Sequence, residues 1–338
     1  MGHFEEKDFD QAKELDEFKN LVTKMQLEAI TASLSLIGLK WREVSRLIKN
    51  YNLPMSSASV ARVLRKHLAK TSHYQEMDHV LAIFRLSFVV ASESRLWHAV
   101  KMSEPLYEDQ PISTLARLIP ARVEKAASKF LRKLGSEIKV QEMKVGDFLY
   151  MSVRVNRLGG TRRSSEVFVA SPPGEPVAFF STMSQKKLIK AAVLGLGYNN
   201  YVDARLHGQD IVSLLRIIDR TWNKDMNNLV TIPEYNPGPV ITKNGIDFTN
   251  QSYNNMYIDN LIGPNPPLLR DLDVRSIQPF FDSSILNEDM AVSLTIKSEN
   301  VAETLKAMVK NRSLGPTSIM FQIFNETKSN TVVYRPDD

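Results

Sequence analysis

The feature that most constrains this chain is a change of hydrophobic period near residue 138. Before it, apolar residues recur at helical spacing. Leu15, Phe18, Leu21 and Val22 share one face, as do Leu27, Ile30, Leu34 and Ile37. Gly38 interrupts the pattern. Val44, Leu47, Ile48 and Tyr51 continue it over Lys40–Asn50, and Val60, Val63, Leu64 and Leu68 resume it after Pro54, with Ser56 or Ser57 as the N-cap. Met77–Val90 is apolar enough to be buried on most sides. Short connections between such helices predict an antiparallel bundle. From Ile138 the period is two. Ile138–Val140, Phe148–Val155, Val167–Ala170 and Val177–Phe180 are predicted strands. The fold class expected is therefore α+β, an all-helical domain followed by an α/β domain with a mostly antiparallel sheet.

The division expected is a helical domain at 1–101, a linker at 102–122, a central α/β part at 123–228, an irregular Asn-, Pro- and Gly-rich connection at 229–285, and a C-terminal part at 286–338. Val123–Leu134 reads as a basic amphipathic helix stopped by Gly135. Ala191–Gly197 and Gln209–Trp222 read as helices. In the tail, Ala291–Lys297 alternates as a strand, Val301–Lys310 reads as a helix, and Ser318–Asn325 and Thr331–Tyr334 read as strands.

Composition narrows the function. The chain has 338 residues, no cysteine and a net charge of +5. Without cysteine there is no disulfide, thiolate nucleophile or Cys-ligated zinc. No apolar run approaches the length of a membrane span. The acidic start (Glu5, Glu6, Asp8, Asp10) is unlike a signal or transit peptide. The positive charge concentrates between residues 40 and 190, a pattern suited to a polyanion.

The residues expected to contact nucleic acid are Arg62, Arg65 and Lys66 on one helix, Arg95, Lys125, Lys129, Arg132 and Lys133 on and before the linker helix, and Lys186 and Lys187. Each would release counterions on meeting a phosphate. No catalytic residue, metal ligand, cofactor or small-molecule substrate is expected. His67 and His73 have no acidic partner at ligand spacing, and His207 with Asp210 lacks a nucleophile. Gly195-Leu-Gly197 and Gly159-Gly160 lack the spacing of a phosphate loop and read as turns. Trp41 and Trp97 sit at helical apolar spacing, which favours a core role over stacking on bases. A strand–helix–strand–strand tail has sheet edges to cover. Val292, Leu294, Ile296, Leu305, Met308, Phe321 and Ile323 are therefore candidates for a partner interface as well as for a core.

Arg95-Leu-Trp97 with Met102-Ser103 and Glu108-Asp109, Lys129-Phe-Leu-Arg-Lys133, Phe148–Val155, Glu166–Ala170, Pro176–Ser181, Met183–Lys187, Leu206–Asp219, and Val292–Ile296 with Glu303-Thr-Leu-Lys306 follow one another along the chain. In that order these segments resemble the centromere protein N family. The likeness spans roughly residues 40–335 and is carried by order and spacing. It implies a death-fold (pyrin-like) helical domain and an α/β domain shared with the sister protein, centromere protein L. It also implies an inner-kinetochore scaffold in the nucleus, at the centromere, that binds nucleosome or DNA, heterodimerises with that sister and meets other inner-kinetochore subunits. If Glu28–Leu36 aligns with the first helix, Ala32 and Ser35 stand where basic residues read the centromeric histone variant. If the alignment starts at Glu17, Lys19 and Lys24 stand there. Gln209 stands where the resemblance implies a DNA-contacting arginine. With the first-helix departures this weakens the expectation of histone-variant reading, while DNA contact is still expected through Arg95 and Lys133. The alternative reading is a sequence-specific DNA-binding helix-turn-helix at 40–70, with Arg62, Arg65 and Lys66 toward the groove.

Overall fold

The computed structural model describes residues 2–71, 74–107, 112–131, 136–157, 165–224, 234–238, 240–243, 245–247, 250–279 and 289–334. The chain divides into two units, Met1–Arg95 with Lys101–Val202 and Leu96–Val100 with Asp203–Asp338.

The first unit opens with five helices: α1 (Gly2–Thr23), α2 (Leu27–Leu36), α3 (Trp41–Asn50), α4 (Ser57–Thr71) and α5 (Tyr74–Ala91). Helical spacing puts Phe18 and Val22 of α1, Val60, Leu64 and Leu68 of α4, and Met77, Leu81 and Phe84 of α5 in one buried cluster. The Phe18 and Phe84 rings meet edge-on at 4.9 Å, the geometry their quadrupoles favour. Each such side chain contributes about 1.5–3 kcal/mol by burial. Trp41 packs against the same cluster, as its spacing suggested. Arg85 pairs with Glu17, and Arg65 with Asp16 at 2.8 Å.

Strands β1 (Trp97–Pro105), β2 (Ser136–Val145), β3 (Phe148–Arg157), β4 (Ser165–Ser171), β5 (Val177–Phe180) and β6 (Tyr198–Gly208) form a sheet in the order β2-β3-β4-β5-β1-β6. Of β1 and β6, Lys101–Pro105 and Tyr198–Val202 belong to this unit. β2–β3, β3–β4 and β4–β5 are antiparallel. Gly146 takes φ 58° in the two-residue β2–β3 turn, a left-handed value that suits glycine. Two helices, α6 (Ile112–Leu131) and α7 (Lys186–Leu196), pack together, α6 against β2 and β3 and α7 against β4. α5 also packs on β2 and β3. Its Asp78 pairs with Lys139 at 2.7 Å, and Ser87 donates to the Met143 sulfur.

The α6–α7 contact explains Gly195, which is a packing residue inside α7 and not a turn. A Cβ there would lie 2.2 Å from Val123 Cγ2 and 2.7 Å from Val123 N. Backbone cannot yield as a side-chain tip can. Gly195→Ala should therefore destabilise by about 1–3 kcal/mol through overpacking, despite alanine's better helix propensity. The urea midpoint checks this, and an unchanged or higher midpoint would refute it. Gly197 ends the helix at φ 98°.

The second unit holds α8 (Ile211–Lys224), a β7–β8 hairpin (Val240–Thr242, Gly245–Asp247), α9 (Gln251–Ile262), β9 (Asp271–Pro279), β10 (Asp289–Lys297), α10 (Val301–Lys310), α11 (Ile319–Glu326) and β11 (Thr331–Tyr334). Its three-stranded sheet runs β10-β9-β11, with β10 antiparallel and β11 parallel to β9. α10 and α11 pack on α9, over a core including Ile258, Leu261, Leu272, Leu305, Phe321 and Phe324.

Three sequence expectations are corrected, and one strand was missed. Residues 102–122, expected as a linker, contain the end of β1 and the first half of α6. Pro120 sits inside α6, where it supplies no backbone N–H. β6 was not expected, since its polar, half-exposed residues hide the strand period. The connection at 229–285 contains α9, β9 and the small hairpin. Residues 318–325 form a helix, because Met320, Phe321, Ile323 and Phe324 bury one face and Ser318 accepts a hydrogen bond from Met320 N. A short apolar run reads equally well in either period.

Candidate nucleic-acid and partner interfaces

The cations expected to meet nucleic acid have different surroundings. Arg62 and Lys66 are exposed one turn apart on α4. With Tyr51, Leu53 and Val63 they line a groove of about 250 Å³, and Lys66 Nζ lies 4.7 Å from the Tyr51 ring centroid. Arg65 is held by Asp16 instead. Lys125 and Lys129 are exposed on α6, one turn apart, opposite buried Val123 and Ala127. Lys186 and Lys187 are exposed in the first turn of α7 and border a groove of about 510 Å³ that reaches Leu131 at the end of α6. Lys190, one turn on, sits 5.9 Å from the Phe130 ring centroid of α6. Arg132 and Lys133 lie outside the described residues.

Arg95 differs from these lysines. Its guanidinium covers the Phe168 ring at 4.8 Å. Burial lowers its pKa, and Glu166 opposes that shift. Glu166 accepts a 2.7 Å hydrogen bond from Ser152. The Nε atoms of Arg95 and Arg154 are buried with no acceptor among the described residues. Arg95 is thus a half-buried part of the first unit's polar packing.

The connectivity of α3 and α4 matches a helix-turn-helix, but the first turn of α4 is used internally. Ser56 Oγ accepts from Ser59 N, Ser57 Oγ donates to Met25 O at 2.7 Å, and Ser59 is buried. A base reader needs free polar groups there.

The residues proposed for a partner interface separate into three sets. Leu305, Phe321 and Ile323 are core, because α9, α10 and α11 close over them. Met308 and Ile296 are half-buried. Val292 and Leu294 are exposed, and so is Met290, which the sequence reading missed although it continues the same alternation.

The polar centre of the second unit is Asn330, 3% exposed. Its amide nitrogen donates to Asp271 O at 2.9 Å and Asp271 Oδ1 at 3.1 Å, and its Oδ1 accepts from His207 N at 2.7 Å. His207 Nε2 lies 2.9 Å from Asp271 Oδ2. The carboxylate beside His207 is therefore Asp271. Asp210 instead caps α8, accepting from Val212 N and Ser213 N. The side-chain oxygen of the neighbouring Gln209 is buried without a partner among the described residues.

The His98 and His207 rings are 5.8 Å apart. Burial lowers the His98 pKa, the charge of His207 lowers it further, and Asp203 opposes both. The folded chain thus prefers neutral His98. As pH falls below the ordinary value of 6.5 the unfolded chain takes up the proton first, so stability present above 6.5 is lost on acidification. The urea midpoint should drop between pH 8 and pH 5, and His98→Gln should shrink that drop. An equal drop in the variant would refute the assignment.

Among the described residues no group of three or more His, Asp or Glu could hold a metal, and no helix is long and apolar enough to cross a membrane. The fold is of the mixed α+β class, with a mostly antiparallel six-stranded sheet. No family model and no curated protein matches the chain.

Proposed function

We propose that this chain is an inner-kinetochore scaffold subunit of the centromere protein N type. In this reading it acts in the nucleus at the centromere, within the constitutive centromere-associated network, for kinetochore assembly and chromosome segregation. The five-helix bundle is its pyrin-like domain, and the sheets belong to the α/β region shared with centromere protein L. It performs no chemistry. It contacts centromeric DNA or nucleosome through a basic surface and pairs through its C-terminal sheet with a centromere protein L homologue.

The observation that carries the reading is a set of exposed cations that form no ion pair among the described residues: Arg62, Lys66, Lys125, Lys129, Lys186 and Lys187. Such cations offer phosphates a site without first breaking a salt bridge. The outer edge of β10, with which no second strand pairs among the described residues, supports the partner half of the reading. The test is the affinity of the full chain for a reconstituted nucleosome and for matched free DNA over a salt series. Salt-steep binding favouring the nucleosome supports a chromatin-reading subunit. Equal salt-steep binding to both supports backbone contact without histone recognition. No binding at low salt refutes the nucleic-acid half.

A further inference from the structure

β10 is the outer strand of the β10-β9-β11 sheet. Its ladder to β9 covers residues 289–297, and no other strand pairs with it among the described residues. Residues 290–295 are exposed whichever face they point to. On the apolar face Met290 is 42% exposed, Val292 53% and Leu294 48%. Soluble sheets blunt such edges with lysine, proline or a bulge. Between 290 and 296 there is no charged residue and no proline, and the ladder to β9 is unbroken. Charge stands at the two ends of the strand in the sequence, aspartate at 289 and lysine at 297.

That pattern is complementary to itself. Antiparallel pairing of two copies about Ser293 sets position 289 opposite 297, Met290 opposite Ile296, Ala291 opposite Thr295, and Val292 opposite Leu294. The opposite charges meet at both ends, and the apolar alternation runs unbroken across the dyad. A slip of one residue would carry the apolar face of one copy onto the polar face of the other. A slip of two would leave both end charges unpaired. An isologous contact of this kind closes as a two-fold dimer.

We propose that the chain pairs with a second copy of itself through β10, antiparallel about Ser293, to make one continuous sheet of both copies. This edge is also the one a sister subunit would use in the function proposed above, so the two occupants exclude each other. The inference rests on the β10 sequence and exposure alone, and its cross-linking and sedimentation tests use the chain without a partner.

The chain has no cysteine, so Ser293→Cys introduces a single thiol. At the dyad the two Cα atoms would be about 4.5–5.5 Å apart, within disulfide reach. Under mild oxidation Ser293→Cys should convert to a covalent dimer. Thr295→Cys, whose copies would be offset by four residues, should not. By sedimentation equilibrium, Lys297→Asp and Asp289→Lys should each raise the dimer dissociation constant about tenfold, and the double reversal should restore it. Unchanged urea midpoints would show that the variants remain folded. A monomer at high concentration, equal cross-linking at 293 and 295, or no rescue by the double reversal would each overturn the proposal. A chain that is monomeric alone but captures a centromere protein L homologue through Val292 would overturn it while leaving the heterodimer reading intact.

Discussion

Asn330→Ala should destabilise the protein by about 2–3 kcal/mol, a large effect for a polar truncation. The side chain joins three strands, bonding His207 of β6 and Asp271 of β9 from just before β11. Its backbone does the same work, since Asn330 N donates to Arg205 O and Asp273 N donates to Asn330 O. Arg205 takes φ 51°, a conformation non-glycine residues seldom adopt, and its own N–H donates to Asp203 Oδ1. Truncation leaves a part-buried N–H of His207 and a part-buried carbonyl of Asp271 without the amide, and a fully buried group of either kind would cost about 1–3 kcal/mol. Asn330→Asp should be worse near neutral pH, because it sets a second carboxylate against Asp271, and should recover when the pair is protonated. Urea unfolding measures the cost. Hydrogen exchange should localise lost protection to residues 203–208 and 271–276. A loss under about 1 kcal/mol would mean water replaces the amide without penalty.

Reversing Lys125, Lys129, Lys186 and Lys187 to Glu should have the largest effect on binding. Each phosphate contact contributes about 0.9 to the slope of log affinity against log salt on duplex DNA, so four contacts contribute about 3.6. Between about 50 and 200 mM salt the parent chain should lose about 10²-fold more affinity than the variant. The loss should be uniform across DNA sequences, since phosphate contacts carry no base information. Arg65→Ala should matter much less, because Asp16 already holds that guanidinium. Unchanged affinity in the fourfold variant would remove the basis for the nucleic-acid interface.

What was legible in the sequence was whatever depends on neighbours along the chain. The five helices, the β2–β5 run and α10 follow from apolar periodicity, because amphipathic segments must bury one face wherever they lie. The exposed lysines of α6 were legible for the same reason, whereas Lys186 and Lys187 stood out by charge alone, because the helix they begin was expected only from residue 191. Long-range partners were not. Arg62 and Arg65 look alike in sequence, and only folding brings Asp16 to one of them. Leu305 and Val292 look equally suited to an interface, and only the closure of α9, α10 and α11 makes the first core and leaves the second open.

The sequence by itself determined the α+β class, the helical start, the basic middle and the lack of thiol chemistry, since these follow from local pattern and composition. The tertiary structure alone decided that Gly195 is a helix contact, that His207 belongs to Asp271 and Asn330, and that among the described residues no second strand pairs with β10. Those outcomes depend on which residues, distant in sequence, come within a few ångströms, and no local pattern encodes that distance.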